Sequence, residues 1–474
     1  MSEQFQRQIY LLSPRQLSPE TIAVTFAKTS RSPLTFREIA DELTDEKSAK
    51  FHEKWVVGYG HASVAEHAVL HIALENISRL ATECIESNRL ASYTEKSTRY
   101  QMWDLGGYHL PREMVDGPHE SIYRKCCDHL FQAYHDSLEP VRELVRKRFP
   151  KRDGERETAW DNRTRSKYVD ACRFLLPAAA LANVGMTVNA RALEHAIRKM
   201  LSHPLVEVQE IGQAVKESAQ GEVPTLVKYA NRVPYLMATR ENLTDHATKL
   251  GLDESSEPLR LIDHDPEAEL RVMAAALYAQ GTCSFDSALK HVKSLDEGER
   301  RALAETILGH LEQFDIPLRE LEHATYTFEA LLDQGAFLEL KRHRMMTQTP
   351  QRLTAELGYT VPKLITEAGF ESSYREAMDV AFGTFNELAG WNPQVAAYVV
   401  PNAFNRRVLM TLNLREVYHL CELRSQSNAH FSIRRLALLM VELVRQVHPT
   451  LASFLRLPEG VHWRGIEEEH FTQV

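Results

Sequence analysis

Hydrophobic positions follow two patterns along the chain, short β-type runs and longer stretches with helical spacing. The segments that begin at Ile9 and at Leu259, IYLLSPRQLSPETIAVTFAKTSRS and LRLIDHDPEAELRVMAAALYAQGTCS, each combine a β-type run, a turn with proline and an alanine-rich stretch. They predict a strand, a turn and a helix at the start of each half. Further apolar positions, such as Leu436, Leu439 and Val444, predict the helices that close each half. The chain is therefore predicted to be a helix-rich α+β protein.

Sequence blocks recur between the two halves, which predicts an internal duplication. EHAVLHIALENISRLATECIESNRLASYTEKSTRYQ from Glu66 parallels EHATYTFEALLDQGAFLELKRHRMMTQTPQRLT from Glu322, with an offset of 256 residues at the start that falls to 255 between Arg89 and Arg344. The pattern T-x-N-x-R-x-[LV]-x-H occurs at Thr187–His195 and again at Thr411–His419, an offset of 224 residues. The difference places about 31 additional residues in the first copy, within the charged stretch 126–167.

A polar, acidic stretch separates the two copies, RENLTDHATKLGLDESSE. We predict a first repeat at residues 1–240, a linker at 241–257 and a second repeat at 258–474. In each copy the signature segment is expected to lead into a strand.

A concentrated cluster of hydrogen-bond donors is formed by Arg342, His343 and Arg344. Apolar residues at helical spacing precede the cluster and predict a helix that ends there: Phe328, Leu331, Leu332, Ala336 and Leu340. Two guanidiniums beside an imidazole suit bidentate contacts to phosphate and to planar carbonyl edges. A solvated basic turn is the alternative interpretation.

Composition narrows the function classes further. Hydrophobic residues make up 43% of the 474 residues and charged residues 26%, and the net charge of −9 argues against broad nucleic-acid binding. The longest apolar stretch, 174–186, is too short to cross a bilayer. Six cysteines without a CxxC pair and a polar N-terminus predict a cytoplasmic protein with reduced thiols. His67 and His71 have the i,i+4 spacing of metal ligands but no third ligand, so we expect no metal site.

These blocks resemble the motifs of flavin-dependent thymidylate synthases over most of both halves. That family carries H-x-S-x-x-E-H, R-H-R, E-x-S-x-R-Y, an arginine before Leu-Pro, and N-x-R. The first copy supplies His61, Ser63, Glu66, His67, Glu95, Ser97, Arg99, Tyr100, Arg173, Asn189 and Arg191. The second copy supplies Glu322, His323, Arg342, His343, Arg344, Asn413, Arg415 and Arg424. The resemblance implies two tandem copies of this α+β fold.

Each copy departs from the family pattern, and the losses are complementary. The first copy has Ser87, Asn88 and Arg89 in place of R-H-R. The second copy keeps R-H-R but replaces other family residues by Pro317, Pro350, Arg352, Thr354, Ala397 and Asn428. His195 and His419 stand where the family often has asparagine. Because the family builds shared sites in a homotetramer, the resemblance implies a homodimer that forms a pseudo-tetramer with composite sites.

The resemblance implies conversion of dUMP to dTMP with FAD as cofactor and with methylenetetrahydrofolate and NADPH as co-substrates. The residues expected to be catalytic are Arg342, Arg344 and Arg99, the first two because they can stabilise charge on the uracil carbonyls. Those expected at the flavin are Arg342, His343, Arg344, His61, Ser63, Asn189, Asn413, His195 and His419. Those expected at the nucleotide are Glu95, Ser97, Arg99, Arg173 and Arg424.

Several alternatives stay open at this point. The protein could act on another pyrimidine nucleotide or one-carbon unit, or it could bind flavin or nucleotide without catalysis. Asn189 and Asn413 lie inside apolar helical patterns, where a flavin contact and a hydrogen bond between helices would both avoid a costly unpaired amide. For Glu95, Ser97 and Arg99 the alternative is a capped helix start or an exposed strand.

Overall fold

The computed structural model describes residues 8–30, 32–58, 62–251 and 256–472. The strands are β1 (Val69–Ser78), β2 (Ala91–Glu95), β3 (Leu181–Asn189), β4 (Leu259–His264), β5 (Thr325–Asp333), β6 (Thr347–Pro350) and β7 (Asn405–Asn413). The α-helices are α1 (Pro19–Lys28), α2 (Phe36–Asp41), α3 (Asp45–His52), α4 (Arg79–Glu86), α5 (Glu120–Arg148), α6 (Glu157–Cys172), α7 (Ala190–Leu201), α8 (Val206–Gln220), α9 (Pro224–Val227), α10 (Pro234–Ala247), α11 (Ala268–Gln280), α12 (Phe285–Ser294), α13 (Glu297–Leu308), α14 (Gln334–Leu340), α15 (Lys363–Glu367), α16 (Glu371–Trp391), α17 (Pro393–Ala396), α18 (Leu414–Arg424), α19 (Phe431–Val447), α20 (Pro449–Ala452) and α21 (Trp463–His470). Within the described ranges, none of these helices has the length and apolar character needed to span a bilayer.

The described residues form two compact units. The first unit comes from 1–96, 111–115 and 181–252, and the second unit comes from 97–110, 116–180 and 253–474. The second unit therefore takes two segments from the predicted first repeat, and these segments carry Arg99 and Arg173.

In the first unit, a three-stranded antiparallel sheet has the order β1-β3-β2. Val188 of β3 lies opposite both Leu70 of β1 and Ala91 of β2. The buried face of the sheet alternates with an exposed face, as half-buried antiparallel strands do. The strand predicted at the start of the first copy is not formed, because residues 8–12 pair with no strand among the described residues and Ile9 and Leu11 are exposed.

In the second unit, a four-stranded antiparallel sheet has the order β4-β5-β7-β6. The side chains of Tyr326, Phe328 and Ala330 alternate inward from β5 and are buried. The helix predicted from Phe328 to Leu340 is therefore wrong in its first part, because that part is strand β5 and the helix α14 begins only at Gln334.

The strand pairs β1/β3 and β5/β7 occupy equivalent positions in the two copies, as do β2 and β6. This equivalence, together with the predominance of helix, confirms the predicted α+β fold built from tandem copies.

The two copies of the proline segment before β3 and β7 pair with each other inside the second unit. The amide of Ala178 donates to the carbonyl of Val400 at 2.9 Å, and the amide of Asn402 donates to the carbonyl of Leu176 at 3.0 Å. Pro177 and Pro401 form the bridge between them. Because these bonds join corresponding positions in both directions, the pairing is isologous, as across a two-fold axis.

Each sheet strand that leads into a helix ends in a side-chain cap. Ser78, Asn189, Asp333 and Asn413 each accept a hydrogen bond from an amide of the helix that follows, at 2.7–2.9 Å. The prediction that Asn189 and Asn413 lie inside helical patterns is therefore wrong, because both stand at strand-to-helix junctions. The signature segment likewise contains the end of a strand and the start of a helix, rather than leading into a strand.

Candidate active site

The R-H-R residues lie on the tight turn between α14 and β6. Arg342 is exposed, Arg344 is half-buried and His343 is buried. The amide group of Gln348 donates to the carbonyls of His343 at 2.8 Å and of Leu340 at 3.2 Å, which holds the turn. The turn thus presents one arginine to solvent while it anchors the histidine inside.

His343 bridges an acidic and a basic side chain. Its Nδ1 lies 2.9 Å from Oε1 of Glu416, and its Nε2 accepts a hydrogen bond from Nε of Arg424 at 3.0 Å. Since Nε2 accepts, the proton of the neutral ring resides on Nδ1 and is donated to Glu416. Burial lowers the pKa of His343, so the ring is neutral at pH 7.

Arg424 is held on its other side by Glu339 of α14. Its Nη1 donates to Oε2 of Glu339 at 3.0 Å, and its Nη2 donates to the Glu339 carbonyl at 3.3 Å. Burial lowers the pKa of Arg424, Glu339 opposes that shift, and the charges of Arg342 and Arg99 add to it. Arg99, Arg342 and Arg424 therefore share one electrostatic neighbourhood.

Arg99 stands at the end of the E-x-S-x-R motif and is paired with Asp170 of α6. Its Nε and Nη2 donate to the two carboxylate oxygens at 2.7 Å each, and its Nη1 donates to the carbonyl of Asn428 at 2.6 Å. Ser97 accepts a hydrogen bond from the Arg99 amide at 3.2 Å. Although burial opposes the charged form of Arg99, the hydrogen bonds and charge of Asp170 raise its pKa.

Arg173 is the most deeply placed of these arginines, with 2% of its side chain exposed. It donates to Thr98 at 3.0 Å and to the carbonyl of Gly335 at 3.3 Å, and it lies 3.7 Å from Glu339. Burial lowers the pKa of Arg173. The substitution Ala397 stands at the corresponding position of the second copy and is buried without charge.

The second unit thus brings together residues that the sequence assigned to different copies. Arg99, Arg173, His343 and Arg424 form one cluster, which we call the arginine corner together with its acidic partners Asp170, Glu339 and Glu416. The sequence did not single out these three carboxylates. Asp170 and Glu339 each stand three residues before a predicted site residue, Arg173 and Arg342, and that helical spacing was the available signal.

A groove of about 700 Å³ lies beside the R-H-R turn. It is lined by Gln313, Phe314, Asp315, Ile316, Pro317, Glu322, Met345, Asn413, Arg415, Glu416, His419, Glu422, Leu423, Gln426 and Arg456. Arg415 pairs with Glu322 at 2.8 Å, and the ring of His419 lies 5.3 Å from that of His343. The predicted flavin residues Asn413 and His419 therefore line this groove together with Met345, which directly follows R-H-R.

Other predicted site residues belong to the first unit. Ser63 and His195 are exposed, Asn189 is the cap described above, and Glu95 is buried with 1% of its side chain exposed and pairs with Arg79 at 3.1 Å. His61 lies outside the described residues.

The first copy holds a different set of side chains where the second copy has R-H-R. Lys199 donates to Ser87 at 2.6 Å and to Asn88 at 2.9 Å. At the positions of Glu416 and Arg424 the first copy has Ala192 and Met200. The ionic arrangement around His343 therefore has no counterpart at these positions of the first copy.

The chain is similar to one protein family and to several of its relatives. The family model described as thymidylate synthase complementing protein matches residues 13–225 and 260–450. A "UPF0159 protein" of Chlamydia muridarum is 32% identical over 436 residues, which cover 88% of this chain and 82% of the relative. A "UPF0159 protein" of Chlamydia pneumoniae is 30% identical over 477 residues, covering 92% and 90%. A "Flavin-dependent thymidylate synthase" of Clostridium tetani is 26% identical over 215 residues, covering 45% of this chain and 82% of the relative.

Proposed function

The chain belongs to the thymidylate synthase complementing protein family, to which its two halves match separately, and from this premise we propose that it is a flavin-dependent methyltransferase. The reaction in this proposal converts dUMP to dTMP, with methylenetetrahydrofolate as the one-carbon donor and NADPH as the reductant. The observation that carries the proposal is the arginine corner, where the charge of Arg99 from one copy acts on Arg424 from the other, and Arg424 is bonded to His343.

The groove beside the R-H-R turn suits FAD. Its volume of about 700 Å³ is within the usual range for cofactor sites. Phe314, Ile316 and Leu423 offer apolar surface for a flat ring system, while Asn413 and Arg415 offer polar groups. Bound FAD supplies the redox chemistry, and the protein supplies binding, orientation and charge.

The side chains of the corner and the two arginines of the R-H-R turn have separable roles in this proposal. Arg342 and Arg344 stabilise the negative charge that develops on the uracil carbonyl oxygens. Arg99, Arg173 and Arg424, with Ser97, face the phosphate side of the nucleotide. His343 stays neutral and fixes Arg424 through its Nε2.

In this proposal the first-unit residues Glu95, Ser63, His61 and His195 keep their predicted roles in a homodimer, whereas Asn189 is a helix cap alone. We propose that a second chain completes the sites to which they belong, which makes a pseudo-tetramer. We place the reaction in the cytoplasm, where the six cysteines, all free thiols, would stay reduced.

An absorbance spectrum of the purified protein tests this proposal. We expect the bands of oxidised flavin, with about one flavin per chain because only the second copy keeps R-H-R, and a shift of these bands when dUMP is added. A colourless protein that takes up no added FAD would overturn the proposal.

A matched pair of variants locates the flavin. Arg344→Ala should lose flavin, whereas Arg89→Ala, which removes the corresponding arginine of the first copy, should retain it. Equal loss in both variants would contradict a single flavin site per chain.

A second candidate is a related reaction on another pyrimidine compound. Its support is the state of Arg99, whose guanidinium nitrogens are all engaged by Asp170 and by the Asn428 carbonyl. A flavin spectrum that responds to another pyrimidine and not to dUMP would favour this candidate.

A further inference from the structure

Each nitrogen of the Arg99 guanidinium donates a hydrogen bond to a group of its own chain. Asp170 accepts hydrogen bonds from Nε and Nη2 in a bidentate pair at 2.7 Å each, and the Asn428 carbonyl accepts one from Nη1 at 2.6 Å. Arg99 supplies the arginine of E-x-S-x-R. A ligand phosphate can form a bidentate pair with Nε and Nη2 of Arg99 only by replacing Asp170.

Asp170 is held firmly in that position. It lies near the end of α6, its side chain is 9% exposed, and its own carbonyl is bonded to the buried ring of His430 at 3.2 Å. A buried carboxylate that loses its partner pays a large desolvation penalty. Displacement of Asp170 from Arg99 therefore costs binding energy that a ligand must supply.

The other guanidiniums of the corner are also partnered. Arg173 and Arg424 both contact Glu339, at 3.7 Å and 3.0 Å. In the corner as defined, three guanidiniums face the three carboxylates of Asp170, Glu339 and Glu416, which leaves no net positive charge for a phosphate monoester that carries about −1.5 to −2 at pH 7. The corner is thus less electropositive than its arginines alone suggest.

We propose that Asp170 is a specificity-determining residue of this site, which competes with the phosphate of a pyrimidine nucleotide for Arg99. Through this competition Asp170 reduces the preference for a 5′-monophosphate over the uncharged nucleoside. The inference rests on the proposed nucleotide site and names the residue that sets how strongly the site selects for phosphate.

The test is Asp170→Asn in the full chain, with binding of dUMP, deoxyuridine and inorganic phosphate measured by calorimetry. Asparagine keeps the shape and one acceptor oxygen but removes the charge. We expect dUMP and inorganic phosphate to bind at least about tenfold more tightly, the effect of one charge-assisted hydrogen bond gained. Deoxyuridine, which has no phosphate, should change by less than about twofold.

Two control variants keep the test sharp. Asp170→Glu retains the charge and should retain the wild-type ratio of dUMP to deoxyuridine affinity. Asp161→Asn removes another buried carboxylate from the same helix, one that pairs with Arg142 and Arg165 outside the corner, and should leave the ratio unchanged. Thermal melting of each variant checks that it folds, and Asp170→Ser provides a second neutral variant.

The outcomes separate this inference from the proposed function. Equal changes for dUMP and deoxyuridine, or weaker dUMP binding in both neutral variants, overturn the role of Asp170. If no pyrimidine binds any variant but inorganic phosphate binds the neutral variants at least about tenfold more tightly, Asp170 keeps its role and the proposed reaction fails. If phosphate binding is also unchanged, both fail.

Discussion

At the scale of single residues, His343 acts through its hydrogen bonds rather than through its charge. Burial keeps the ring neutral, so Nδ1–H donates a hydrogen bond to Glu416 and the lone pair on Nε2 accepts one from Arg424. The ring thereby connects Glu416 at the start of α18 with Arg424 at the end of the same helix and fixes the position of the guanidinium. Glu416 is the residue on which this arrangement depends.

Substitution Glu416→Ala should leave the Nδ1–H of His343 buried without its acceptor. We expect a loss of about 1–3 kcal/mol in the free energy of unfolding, the cost of an unsatisfied buried donor, together with weaker flavin binding. Urea denaturation and a flavin titration measure the two effects.

The control is Glu210→Ala, which breaks an exposed ion pair with Arg112. Exposed pairs contribute at most about 1 kcal/mol, so this variant should stay close to the wild type in both measurements. A Glu416→Ala protein as stable as this control would contradict the role of Glu416.

The resemblance to the family motifs predicted the arginines of the corner but not their acidic partners. R-H-R and E-x-S-x-R are contiguous motifs, whereas Arg99 and Asp170 stand 71 residues apart and Arg424 and Glu339 stand 85 apart. A pairing of that range is decided by tertiary packing, which a one-dimensional pattern does not contain. The charge balance of the site could therefore not be predicted from the sequence.

At the scale of elements, the recurring unit is a strand that ends in a capping side chain and passes directly into a helix. Asn189 between β3 and α7 and Asn413 between β7 and α18 are the same junction in the two copies. Both asparagines satisfy a free amide at the helix start, but only Asn413 borders the groove beside R-H-R. Asn189 can therefore act only as a cap in this arrangement, whereas Asn413 can both cap its helix and contact a ligand in the groove.

Substitution of either asparagine by alanine should cost about 1 kcal/mol of stability, the usual effect of a lost N-cap. Only Asn413→Ala should also weaken flavin binding. Chemical denaturation and flavin titration of the two variants, run side by side, make the comparison.

Serine is the conservative replacement at either junction, because it retains the capping oxygen and should restore most of the stability. If Asn189→Ala weakened flavin binding as much as Asn413→Ala, the assignment of the flavin to the second copy would be wrong.

The apolar run before Asp333 fits both the helical and the strand period. The spacing of Phe328, Leu331 and Leu332 fits a helix, yet Tyr326, Phe328, Ala330 and Leu332 alternate inward from β5. A short apolar run that passes from strand to helix satisfies both periods, so the boundary at Asp333 was invisible without the sheet partner β7.

At the scale of the whole molecule, the duplication predicted from the sequence is confirmed by separate matches of one family model to residues 13–225 and 260–450. The sequence could also predict complementary motif loss, because that is written in the residues themselves. It could not predict that segments 97–110 and 116–180 join the second unit, since that depends on long-range packing.

Activity assays of two variants test whether Arg99 and Arg342 serve the same site. Each belongs to the electrostatic neighbourhood of Arg424 in one chain, so Arg99→Ala and Arg342→Ala should each abolish dTMP formation. An equimolar mixture, refolded together so that mixed dimers form, should show no rescue.

Arg112→Ala, which removes an exposed arginine of the first unit, is the control and should keep full activity. Rescue in the mixture would mean that the two arginines of one site come from different chains, and full activity in either single variant would contradict the composite site altogether.

The isologous pairing of the two proline segments now takes place within a single polypeptide. Two separate chains that met through such strands would part on dilution, whereas a covalent connection keeps the local concentration of each segment high whatever the amount of protein in the cell. The two copies therefore stay together even when a mutation weakens this contact. Because both copies are always present in one chain, each copy can lose a motif that the other copy retains.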